Sequence, residues 1–61
     1  MEEVEIGSIV YLNADSMSSF RKYFTVIGYN DTRNLYAIIH ITDKDEVIEL
    51  NVPAKSLSVA G

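Results

Sequence analysis

Apolar and polar positions alternate most informatively between Phe24 and Thr42. Two apolar runs, Phe24-Thr25-Val26-Ile27-Gly28-Tyr29 and Leu35-Tyr36-Ala37-Ile38-Ile39-His40-Ile41-Thr42, flank the polar stretch Asn30-Asp31-Thr32-Arg33-Asn34. β-Branched and aromatic residues around a short polar connector predict a β-hairpin with a five-residue loop. Because strand side chains alternate between faces, Phe24, Val26 and Gly28 share one side of the first strand, and Tyr23, Thr25, Ile27 and Tyr29 share the other. On the second strand the same rule groups Leu35, Ala37, Ile39 and Ile41, the expected core face, opposite Tyr36, Ile38, His40 and Thr42. Neither strand has a cleanly polar side, which predicts a curled sheet with both faces partly covered. Gly28 near a strand end signals a bulge or bend.

The remaining elements extend this hairpin. Ile9-Val10-Tyr11-Leu12 reads as a strand after the punctuation of Gly7-Ser8, with Val10 and Leu12 on one face and Ile9 and Tyr11 on the other. Asn13 to Lys22 reads as a loop of ten residues, in which Asp15 or Ser16 could alternatively cap a short helical turn through Arg21. Met17 and Phe20 either tuck beneath this loop or form an exposed apolar tip. After the turn Thr42-Asp43-Lys44-Asp45, the stretch Glu46 to Val52 has the cleanest alternation in the chain. Ile48, Leu50 and Val52 point inward, Glu49 and Asn51 outward, and Val47 is the exception. Pro53 ends that strand. Pro53-Ala54-Lys55-Ser56 allows one 3₁₀ turn before a short last strand, Leu57-Ser58-Val59. Residues 1–5 read as a flexible acidic N-terminus, 6–59 as one domain and 60–61 as a tail. Five short strands, a long first loop and a 3₁₀ turn before the last strand predict an all-β fold, a small five-stranded SH3-like barrel.

Gly7-Ser8-Ile9-Val10-Tyr11-Leu12, Phe24-Thr25-Val26 and Val52-Pro53-Ala54-Lys55-Ser56-Leu57 carry a family likeness. In that order they resemble the Gly-Asp-Val-Val-x-Leu, Met-Thr-Val and Phe-Pro-x-x-x-Leu motifs of the YodC-like family, small uncharacterised bacterial proteins. The likeness runs from about residue 6 to 57. What it implies is an SH3-like barrel; the family has no established activity to carry over.

Length and charge narrow the function. A chain of 61 residues supports one core and buries only about 60 % of its unfolded surface, so a partner would contribute usefully to its stability. There is no cysteine, and His40 is the single histidine, which excludes disulfides and thiolate metal sites. No apolar run approaches the roughly 20 residues of a membrane helix, and no export signal opens the chain, so a cytoplasmic location is expected. Nine acids against five bases leave a net charge of −4, which disfavours general nucleic-acid binding.

Candidate chemistry is sparse. His40 has no recognisable nucleophile or triad partner, so no catalytic residue is assigned. Asp43-Lys44-Asp45-Glu46 lacks the glycine and distal glutamate of a calcium loop, and neither a metal nor any other cofactor is expected. The suggestive group is Tyr11, Tyr23, Tyr29 and Tyr36. The register places Tyr23, Tyr29 and Tyr36 away from the main core, where they either pad the second face or form an aromatic groove. Arg21, Lys22 and Arg33 would make that the least acidic region. The expected function is therefore a non-enzymatic protein–protein interaction module, bacterial or phage-encoded, such as an inhibitor of a host nucleic-acid enzyme. Its partner-binding residues would be Tyr23, Tyr29, Tyr36, Met17, Phe20, Arg21 and Arg33. The alternative is a nucleic-acid-binding barrel using Tyr23, Tyr36, Arg21, Lys22 and Arg33. Self-association through edge strands is compatible with both, and no membrane partner is expected.

Overall fold

The computed structural model describes residues 4–60. Five strands, β1 (Ile9–Leu12), β2 (Phe24–Asn30), β3 (Leu35–Ile41), β4 (Val47–Val52) and β5 (Leu57–Val59), form one antiparallel sheet in the order β4-β3-β2-β1-β5. Two 3₁₀ turns, Asn13–Asp15 and Ala54–Ser56, complete the regular structure among the described residues. The strand positions and the turn before β5 follow the apolar pattern closely. The long connector carries only the first 3₁₀ turn, with no helix through Arg21.

Turn chemistry sets the strand ends. Before β1, the Ser8 amide donates to the Glu5 carbonyl at 3.1 Å across a turn whose third residue, Gly7, has φ +96°. That conformation carries no steric penalty only for glycine. The β2–β3 connection has four residues, 31–34, because Asn30 still pairs with Leu35. Asn30 Oδ1 accepts from the amides of Thr32 at 3.0 Å and Arg33 at 3.2 Å, and Asn34 takes the left-handed position with φ 58°. The β3–β4 turn is held by a hydroxyl rather than by its aspartates. Thr42 Oγ1 accepts from the amides of Lys44 at 3.3 Å and Glu46 at 3.1 Å, while Asp45 sits at φ 61°.

The core comprises Val4, Val10, Phe24, Val26, Tyr36, Ile38 and Leu57, with Leu12, Ile48, Leu50, Val52 and Ala54 packed against it. β4 has its expected faces. β3 does not: Ile38 is fully buried and Tyr36 is 8 % exposed, whereas Ile41, expected in the core, is 58 % exposed and Leu35, Ala37 and Ile39 are only half-buried. Cross-strand partners share a face. Val26 pairs with Ile38 and Ile38 with Leu50, so burying Val26 and Leu50 obliges β3 to turn Ile38 inward. Both sides of β3 are apolar, and alternation within it does not choose between them.

The bulge expected near Gly28 lies between Val26 and Gly28, leaving Ile27 without a partner. Its consequence reaches beyond the bend. One extra residue reverses the parity of the rest of β2, so Gly28 pairs with Ala37 and Tyr29 with Tyr36. Tyr29 thereby moves to the core side, opposite to its expected face.

The acidic N-terminal segment also contributes to packing. Val4 is buried in the core, and its amide donates to Tyr36 Oη at 3.2 Å. The flexibility expected of residues 1–3 lies outside the described residues, as does Gly61 of the expected tail. Ala60 prolongs the β1–β5 ladder by donating to the Ile9 carbonyl at 2.8 Å.

Candidate functional site

The connector between β1 and β2 is tied down at its base. Asn13 Nδ2 donates to the Lys55 carbonyl at 2.7 Å, and its Oδ1 accepts from the Ser58 hydroxyl, which fastens the first 3₁₀ turn to the turn and strand at the far end of the chain. Further along, Arg21 folds back over the connector. Its Nη1 donates to the Ser16 carbonyl at 2.8 Å and its Nε to Tyr23 Oη at 3.0 Å. The guanidinium carbon lies 4.4 Å from the centroid of the Tyr11 ring and 5.7 Å from that of Tyr23. The two tyrosines meet edge-to-face at 6.0 Å and 82°. The hydrogen bond to Tyr23 pushes the Arg21 pKa above its ordinary value, against the opposing effect of partial loss of hydration.

These bonds hold residues 17–20 as a projecting tip. The Ser18 amide donates to the Asp15 carbonyl at 3.0 Å and the Phe20 amide to Ser18 Oγ at 3.1 Å. The apolar side chains gain nothing from this arrangement: Met17 is 96 % exposed and Phe20 is 92 % exposed. Of the two readings of this pair, the exposed tip is the one observed. Leaving a thioether and a phenyl ring in water forgoes roughly 1.5–3 kcal/mol for each.

Tyr23 is also fixed through its backbone. Its carbonyl lies 2.9 Å from His40 Nδ1, and since a carbonyl only accepts, Nδ1 carries the proton in this pairing. The His40 ring lies 5.7 Å from that of Phe24. His40 thus bridges β3 to the start of β2 and is held as a strut.

The other expected residues lie elsewhere. Tyr36 is buried on the core side of β3, opposite to its expected outward face, with its ring 4.6 Å from that of Tyr29 and its hydroxyl taken by the Val4 amide, so it lines no exposed aromatic groove. Tyr29 stays partly exposed and donates to Asn34 Oδ1 at 2.8 Å, beside the hairpin turn that carries Arg33. Seven residues of β2, about 20 Å of strand, separate that turn from Tyr23. The expected single aromatic patch is therefore two groups: Met17, Phe20, Arg21 and Tyr23 at one end, Tyr29 and Arg33 at the other.

Tyr11, which packs under Arg21, was absent from the expected binding set, and so was the Asn13 latch. A signal for Tyr11 existed: it lies on the face opposite Val10, and once Val10 pairs with Phe24 the next position sets it against Tyr23. Nothing local marks Asn13, whose partners lie 42 and 45 residues away.

Among the described residues, no group of acids and histidine could hold a metal ion, and no helix is long and apolar enough to cross a membrane. Comparison of the chain with protein-family models, with curated proteins and with solved structures found no match.

Proposed function

We propose that the chain is a non-enzymatic protein-interaction module on an SH3-like barrel, which engages its partner through the tip of the β1–β2 connector. The observation that carries this reading is the exposure of Met17 and Phe20 on a loop whose stem is braced by Arg21, Tyr11 and Tyr23. A braced loop keeps its apolar side chains presented, so binding costs less ordering entropy than it would for a slack one. Strand order β4-β3-β2-β1-β5, with a long first connector and a 3₁₀ turn before β5, supports the barrel. The likeness of its opening and closing motifs to the YodC-like family belongs to the same reading. A cytoplasmic bacterial or phage setting, with the acidic surface suited to the basic groove of a nucleic-acid enzyme, is its narrower form.

The nucleic-acid reading has less to support it. Arg21 is spent on Ser16 and Tyr23, and Arg33 sits at the opposite end of β2, so the bases form no continuous track. The test is affinity capture from a bacterial lysate with the parent chain and with a Met17→Ser/Phe20→Ser variant. A partner retained by the parent and lost by the variant is the expected result. Capture that is unchanged in the variant, or binding to single- or double-stranded oligonucleotides at low salt, would overturn it.

A further inference from the structure

Among the described residues, β4 stands at one end of the sheet, with β3 on one side and no strand on the other. Its pairing with β3 runs without a bulge from Ile41 opposite Val47 to Tyr36 opposite Val52. Alternate amides and carbonyls along its outer side therefore have no partner in the sheet. Soluble proteins ordinarily blunt such an edge with charged residues, lysine above all, an internal proline, a bulge or a very short strand. β4 has six residues, no lysine, no proline and no bulge. What it carries instead is acid: Glu46 precedes it and Glu49 sits within it, with Asp43 and Asp45 in the adjoining turn, all exposed. Lys44 is the one base in this stretch. On the outer face Val47 is 61 % exposed, and on the core face Ile48, Leu50 and Val52 remain half-buried.

We propose that β4 is an acceptor edge for an extended basic segment of a partner protein, which adds to the sheet as a further strand. Main-chain hydrogen bonds to the unpaired side of β4 would supply the affinity, and the two faces the selectivity. Residues facing Ile48, Leu50 and Val52 complete the apolar side and so must be apolar. On the other face the residue opposite Glu49 meets its carboxylate, and the end of the added strand near Val47 lies toward Asp43 and Asp45 of the turn, so lysine or arginine is favoured there. A second copy of the chain fits poorly. Antiparallel pairing of two β4 strands centred on Glu49 sets that carboxylate against itself, centring on Leu50 sets the two diagonally, and each chain has a net charge of −4. This edge is distinct from the Met17–Phe20 tip and can be tested separately.

The test titrates the ¹⁵N-labelled full chain with the blocked peptide Lys-Val-Lys-Val-Lys-Val-Lys. Its glutamate counterpart and a version methylated on alternate backbone nitrogens serve as comparisons. Amide shifts should concentrate in Val47–Val52, hydrogen exchange there should slow, and affinity should fall as salt rises. The glutamate and N-methylated peptides should not bind. Glu49→Lys, at an exposed position, should weaken the lysine peptide by roughly tenfold and admit the glutamate one. The Met17→Ser/Phe20→Ser variant should bind like the parent. Equal binding of the N-methylated peptide, shifts centred on residues 16–21, loss of binding in the loop variant, or no shifts at low salt would each overturn the proposal.

Discussion

The Arg21 guanidinium rests 4.4 Å above the ring of Tyr11, so a residue near the end of the long connector packs on the strand where that connector begins. The contact closes the loop on itself, and the bond from Arg21 to the Ser16 carbonyl pins its near side. Arg21→Ala should therefore loosen residues 16–20 more than it destabilises the fold. The expected outcome is faster amide exchange and lower order parameters in the loop, with a stability loss of about 1 kcal/mol or less, as for exposed cation–aromatic pairs. Arg21→Lys should not restore order, because an ammonium lacks the planar fork that serves Ser16 and Tyr23 together.

The orientation of β3 is open to a direct comparison. Ile38→Ala removes a fully buried side chain and should cost roughly 2–5 kcal/mol, enough to unfold much of so small a domain. Ile41→Ala should cost under about 1 kcal/mol. Thermal melts of the two variants decide it: a larger loss for Ile41→Ala than for Ile38→Ala would mean that the opposite face is buried.

Leu50→Ala follows from the same packing. Leu50 pairs with Ile38 and leans on the core from the sheet edge, so its truncation should cost about 2–3 kcal/mol, the low end for a core leucine. Glu49→Ser, one position away and exposed, should change stability by well under about 1 kcal/mol. Denaturant midpoints for the pair would show whether the alternation of β4 is real.

Tyr36 and Tyr29 are in ring contact but should respond differently to loss of the hydroxyl. Tyr36→Phe leaves the Val4 amide without its acceptor at a buried position and should cost about 1–2 kcal/mol. Tyr29→Phe gives up an exposed bond to Asn34 and should cost less than about 0.5 kcal/mol. Calorimetric melts would show the difference, and protection of the Val4 amide against exchange should fall only in the first variant.

Asp45 offers a backbone test at the β3–β4 turn. Its φ of 61° suits aspartate, asparagine or glycine, and Asp45→Val should cost about 1–2 kcal/mol through the clash of a branched Cβ. Asp45→Gly should be at least as stable as the parent. Chemical denaturation separates the two.

The chain's own pattern determined where the strands lie, which residues turn, which face of β4 is inward and how acidic the surface is. These are local properties: a run of β-branched residues, a glycine before β1, a proline after β4 and alternation against polar neighbours each act within a few residues. Only tertiary structure decided which face of β3 is buried, since Tyr36 and Ile38 compete with Ile39 and Ile41 on nearly equal apolar terms. The partners Val26 and Leu50 settled that competition, and the single bulged residue Ile27 then reversed the remainder of β2. The same holds for the candidate site. Tyr36 lies on the β3 face that Val26 and Leu50 turn inward, where its hydroxyl accepts from Val4, far away in sequence, and Tyr11 joined Arg21 because strand pairing brought the two ends of the connector together. Contacts between distant residues depend on register, and one inserted residue changes register without changing the local pattern on either side of it.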